Sequence, residues 1–154
     1  MEPLTNAQKY ANYKTQMGRL ERAIKEHFLL EALFIEYAIM EDRAESILLH
    51  AGRTVGPREG LVQKLKDIAK QLPKNELLAR YVKPELLDEI EAWSKKRNDY
   101  IHSLMKQVFT GGQLEDIVEQ GKAVIKTLTA KSTGFKRALE RKAASEEKTA
   151  SQQQ

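Results

Sequence analysis

The segment "KKRNDYIHSLMK", residues 95–106, sets Arg97, Asn98 and His102 within two helical turns. An arginine guanidinium is a planar fork that grips two phosphate oxygens at once and keeps its charge. Histidine, with an ordinary pKa of about 6.5, suits proton transfer near neutral pH. Together these residue types point to chemistry at a phosphate. At 100° per residue, Leu86, Ile90, Trp93, Tyr100, Ile101, Leu104 and Val108 form one apolar stripe of a helix over 84–109, and Arg97 falls near its middle. Ser94, Asn98 and His102 are spaced four apart along the flank of that stripe. Arg97 and His102 are about 140° apart on the wheel, so a site using both needs a second surface. The plain alternative is that Arg97 lays its methylenes along the core and pairs with Glu31, Glu36 or Asp42 of an earlier helix.

The elements that must position these residues are all helical. Residues 5–17 carry Ala7, Tyr10 and Met17 on one side, with Thr5 or Asn6 as the cap and Gly18 as an interruption. Leu20 to His50 reads as one long helix, apolar nearly all the way round from Phe28 to Met40 and therefore enclosed by others. "AGRTVGPREG" is a turn-rich surface connection. Leu61, Leu65, Ile68 and Leu72 define an amphipathic helix ended by Pro73, and Leu77–Val82 a further turn. Pro84 opens the Arg97 helix and Gly111-Gly112 stops it. A last helix starts near Gln113 and extends through Phe135 and Leu139. "RKAASEEKTASQQQ" has no apolar period and is expected to be a disordered tail over 141–154. The fold expected is all-α, a bundle of four or five helices over residues 1–140.

Composition narrows the function. The 154 residues suit one domain with a proper core, and the absence of cysteine removes disulfides, thiolate metal sites and a cysteine nucleophile. No apolar run reaches the roughly 20 residues of a membrane span, and "MEPLTNAQKY" lacks a basic-then-apolar leader, so the chain is expected to be cytoplasmic with no membrane partner. A net charge of +4 assists approach to a polyanion. His27 and His50 lack metal-ligand spacing, and Glu41 and Glu45 come without a Glu-x-x-His, so no metal or cofactor is expected and the two glutamates read as solvated charges. "GRTVGPREG" lacks the Lys-Ser/Thr of a phosphate loop, and no Gly-x-Ser-x-Gly occurs. Trp93, Tyr100 and Phe109 sit at helical spacing as core or interface residues. Lys95, Lys96 and Lys106 lie on the outward side, where they are either a solvated face or a guide for RNA, and "GFKRALERK" adds to that field or is an ordinary helix end.

Arg97-Asn98-Asp99-Tyr100-Ile101-His102 resembles the signature of the HEPN family, higher eukaryotes and prokaryotes nucleotide-binding domains. That signature is an Arg, four to six residues and a His, with Asn, Asp or His favoured after the Arg, late in a small all-helical bundle; the resemblance covers roughly residues 5–130. It implies a metal-independent endoribonuclease that works as a homodimer, two motif helices facing across a cleft, so that Arg97 interrupts the stripe because that face meets a partner subunit. It further implies that His102 assists attack of the ribose 2′-hydroxyl on phosphorus or protonates the leaving 5′-oxygen, while Arg97 stabilises phosphoryl charge. Asn98 would orient the imidazole or hold a phosphate oxygen. An acidic residue from an earlier helix would be Glu36, Glu41 or Asp42, with Asp42 favoured because it shares an angular sector with Ile24, Phe28 and Ile35. Such proteins serve in toxin and antitoxin pairs or antiviral defence, which makes an antitoxin a further expected partner. The rival expectation is a non-catalytic module of the same bundle that binds a nucleotide, RNA or a protein, and a third is an unrelated helical interaction protein.

Overall fold

A computed structural model describes residues 2–108 and 111–154, so Phe109 lies outside the described residues. The described chain is all-helical: α1 (Asn6–Lys25), α2 (Leu29–His50), α3 (Leu61–Gln71), α4 (Glu76–Tyr81), α5 (Pro84–Ser103) and α6 (Gln113–Gln152). No strand occurs among the described residues, and no described helix is long and apolar enough to cross a membrane.

The expected break at Gly18 does not occur, and the helix expected over 20–50 is cut instead. α1 starts on a capping box in which Thr5 and Gln8 exchange side-chain and backbone bonds, and it runs straight through Gly18, whose Cα faces open space. It ends at His27, which sits in the left-handed region at φ 59°. The amide of Phe28 donates to the Ala23 carbonyl at 2.8 Å and that of His27 to Ile24 at 3.2 Å, the two bonds of a Schellman end. α2 ends in the same way at Gly52, φ 79°, where Arg53 donates to Leu48 and Gly52 to Leu49. Glycine meets that conformation freely; His27 adopts it against a Cβ clash and gives no signal in the sequence. The inward side of α1 carries Tyr13, Met17, Leu20 and Ala23, while Tyr10, expected there, is 65% exposed.

α2 is the central helix and packs on α1, α3 and α6. That explains its apolar circumference: Ala32, Leu33, Ile39, Met40, Ala44 and Ile47 are all buried, facing different neighbours. α5 lies on α6 and α3. Its anchor is Trp93, fully buried, whose indole N–H donates to the Ile117 carbonyl at 2.9 Å. Truncating such a side chain to alanine costs about 3–5 kcal/mol.

The apolar stripe of α5 does not stay covered. Leu86, Ile90 and Trp93 are buried, Tyr100 and Ile101 half-buried, and Leu104 is 37% exposed. The helix ends at Ser103 rather than 109, and the next two turns leave Met105 and Val108 almost bare. The expected tail at 141–154 continues α6 as helix through Gln152, with every side chain exposed. Ala, Glu and Lys are good helix formers, and growth from a packed helix avoids the nucleation cost, so helix persists where packing has ended.

Candidate functional site

The site is built from α3 backwards to α5. Gly60 caps α3 without a side chain, leaving the amide of Leu61 to be met from outside, and it donates to the Tyr37 hydroxyl at 3.3 Å. That bond fixes the phenol ring of α2 in place. The Arg97 guanidinium lies over this ring at 4.5 Å from its centroid and over Phe34, one turn earlier, at 5.2 Å. Phe34 is 58% exposed, so the two rings form a shelf at the protein surface.

Arg97 Nη1 donates to Asn98 Oδ1 at 2.8 Å, and Arg97 Nε is buried with no hydrogen-bond partner. Among the described residues no carboxylate pairs with Arg97, so the alternative of a salt bridge to Glu31, Glu36 or Asp42 is not realised. Burial pulls its pKa below the ordinary arginine value, and Tyr37 opposes the fall. One turn before Arg97, the hydroxyl of buried Ser94 is also without a partner. Arg97 is thus a half-buried cation on an aromatic shelf, held by one amide oxygen and by no carboxylate among the described residues.

His102 is exposed in the last turn of α5 and forms no hydrogen bond to Arg97 or Asn98. Asn98 therefore braces Arg97 rather than the imidazole. Within one chain the structure brings together Arg97, Asn98, Tyr37 and Phe34 and leaves His102 a turn away, facing solvent. Tyr37 and Phe34 were missed from sequence.

The acidic candidates go elsewhere. Asp42, expected to point inward, is exposed and pairs with its neighbour Arg43 at 2.6 Å. The angular sector that favoured it assumed an unbroken helix, and the turn at 26–28 reorients α2 relative to Ile24. Glu41 and Glu45 are only partly solvated, 31% and 44% exposed: both accept from Lys64 of α3, at 3.1 and 2.9 Å, and Lys64 is 4% exposed. Glu36 is fully buried against α6, where a Cβ on Gly121 would fall 2.6 Å from its carboxyl. Neither oxygen has a hydrogen-bond partner. Burial, with Glu119 adding and Lys122 opposing, pushes its pKa up to about 9, so it stands protonated at neutral pH.

Of the lysines, Lys96 donates to Gln120 of α6 at 3.3 Å, which turns it toward the α5–α6 seam, while Lys95 and Lys106 stand in solvent. No protein-family model matches the chain, and no curated protein and no solved structure matches it either.

Proposed function

We propose that the chain is a metal-independent endoribonuclease of HEPN type that cleaves RNA through attack of the 2′-hydroxyl, at a composite site formed where two copies meet. The observation that carries this reading is the Arg97 guanidinium, half-buried on Tyr37 and Phe34, braced by Asn98 and given no carboxylate. Arg97 binds the non-bridging oxygens of the scissile phosphate and stabilises the charge that builds there. His102 of the facing subunit takes the 2′-hydroxyl proton or supplies one to the 5′-oxygen. The products are a 2′,3′-cyclic phosphate and a 5′-hydroxyl, and DNA resists because it lacks the attacking group. Bare Met105 and Val108, with the part-exposed Phe34 and Leu104, are the kind of apolar border such a contact would cover. A role as a toxin with an antitoxin, or in antiviral defence, goes with this reading.

The exposure of His102, apart from Arg97 within one chain, favours a second reading: a non-catalytic module that uses Arg97 to hold RNA, a nucleotide or an acidic protein segment. Purified protein incubated with RNA in EDTA separates the two, alongside Arg97→Ala and His102→Ala variants matched in circular dichroism and melting. Cyclic-phosphate ends lost in both variants are expected. Absence of cleavage over a range of RNAs, or cleavage indifferent to either substitution, rejects the ribonuclease.

A further inference from the structure

Charge is sorted along this chain in a way that the Arg97 site does not use. Residues 3–20, in α1 and its approach, and residues 120–139 of α6 together hold eight Lys and Arg and no Asp or Glu. The rest of the chain has 18 basic against 22 acidic side chains, so the positive net charge comes from these two stretches. By contrast, the motif helix α5 carries five acids against three bases.

The two stretches face one another across a groove. It consists of two adjoining cavities of about 610 and 710 Å³ that share Tyr13, Thr129, Thr133 and Arg137. Lys9, Lys122, Lys126, Lys136 and Arg137 line it, and among the described residues none has a carboxylate within 4 Å. Of the two acids that α2 contributes, Asp42 pairs with Arg43, and Glu45 shares Lys64 with Glu41. Glu119 and Glu140 mark the two ends along α6. From Lys122 to Arg137 the rise is about 22 Å at 1.5 Å per residue. Aromatic faces accompany the cations: Arg43 lies over Tyr13 at 5.2 Å, Tyr13 donates to Thr129 at 3.2 Å, and Tyr10 stands 65% exposed at the rim.

We propose that this α1–α6 groove is a binding site for single-stranded nucleic acid, RNA or DNA, distinct from Arg97 and His102. Phosphates run along the Lys122, Lys126 and Arg137 side of α6, the threonine hydroxyls donate to phosphate oxygens, and one base stacks on Tyr10. The length fits the shorter single-strand sites of about four nucleotides. A groove that reads backbone and ring faces does not need the 2′-hydroxyl, so the site stands whether or not the chain cleaves RNA.

The test is fluorescence anisotropy of labelled U12, dT12 and a hairpin duplex of equal charge, at two salt concentrations. Wild-type protein is expected to bind U12 and dT12 with similar affinity and to weaken with salt. Lys126→Glu/Arg137→Glu, both exposed positions, should weaken both single strands at least about tenfold. Tyr10→Ala should weaken them several-fold and leave the duplex unchanged, and Lys66→Glu, an exposed charge reversal on α3 outside the groove, should leave dT12 binding as it was. dT12 cannot be cleaved through a 2′-hydroxyl, so its binding reports the groove even if the ribonuclease reading fails. No binding of dT12, binding weakened by Lys66→Glu as much as by the groove variants, or a duplex held as tightly and insensitively to Tyr10 each overturns the proposal.

Discussion

Two cations are drawn into this small bundle, and α2 treats them differently. Lys64 is 4% exposed and receives two carboxylates, Glu41 and Glu45, one turn apart on α2. Burial alone would lower the Lys64 ammonium, but its hydrogen bonds to Glu45 and Glu41 win and hold its pKa above the ordinary value. Arg97 receives two aromatic faces instead, Phe34 and Tyr37, also a turn apart on α2, and one amide oxygen. Its pKa falls with burial. The same helix can satisfy a buried cation and, two turns earlier, withholds the satisfaction. Lys64 is thereby a tie between α2 and α3, whereas Arg97 has no carboxylate partner among the described residues, which is what the proposed phosphate site rests on.

The largest effect on stability should come from the tie. Lys64→Ala leaves Glu41 and Glu45 facing each other, 31% and 44% exposed, so solvent relieves part of their repulsion. A loss of about 3 kcal/mol is expected in urea unfolding at pH 7, at the low end for breaking a buried pair. A loss below about 1 kcal/mol would make Lys64 an ordinary surface pair and remove the contrast with Arg97.

Glu36 extends the comparison to a buried acid that has no hydrogen-bond partner and is kept neutral by its burial. In the unfolded chain it ionises near 4.5, whereas folded it keeps its proton to about 9. The folded state therefore binds the extra proton between those values, and stability from this group falls as pH rises through that window. Lys64 does not blur the reading, because a raised lysine pKa contributes fully at all pH below the ordinary 10.5. Glu36→Gln should raise stability by about 2 kcal/mol at pH 8, after allowance for an amide that is itself unpartnered. It should also flatten the decline between pH 5 and 9 seen in the wild type. An unchanged slope would show that the carboxyl reaches water.

Arg97→Ala comes next in size. It removes two cation–π contacts and one hydrogen bond, together worth about 1 kcal/mol at a half-exposed site. Set against Lys64→Ala in the same unfolding series, it should shift the midpoint by about a third as much. A loss as large as that of Lys64 would make Arg97 a structural tie after all.

The helical bundle and the place of Arg97 on its stripe were legible because both follow from apolar spacing in α5 and α6. What Arg97 rests on was not. α2 is apolar all round, so no period singles out Phe34 and Tyr37 among Leu30, Leu33 and Ile35. The break at His27 was hidden because a left-handed cap is normally announced by glycine, and Gly18 offered a false one. Every angular argument that crossed it, Asp42 above all, was carried over a rotation that the sequence does not record. Lys64 was closer to hand: it lies at helical steps from Leu61 and Ile68, so its burial could be inferred and a carboxylate sought. The helix beyond residue 140 shows the reverse error, since a missing apolar period says that nothing packs there and not that the backbone is irregular.

The sharpest form of the comparison gives Arg97 what Lys64 already has. Phe34 is 58% exposed and its ring centroid is 5.2 Å from the guanidinium carbon, so Phe34→Glu would bring a carboxylate within reach of Arg97 with little loss of core. An exposed pair of this kind is worth about 0.5 kcal/mol, and one cation–π contact of similar size is lost, so the melting midpoint should barely move. Function should respond in the opposite proportion, because a guanidinium engaged by a carboxylate no longer offers its fork to a phosphate. On the proposed ribonuclease reading, RNA cleavage should fall as far as in Arg97→Ala, while Phe34→Gln, which has the same length without the charge, should retain most of it. Equal loss in both variants would mean that Phe34 itself is needed, as shelf or as contact with a second subunit, and that the freedom of Arg97 is not what distinguishes the two cations.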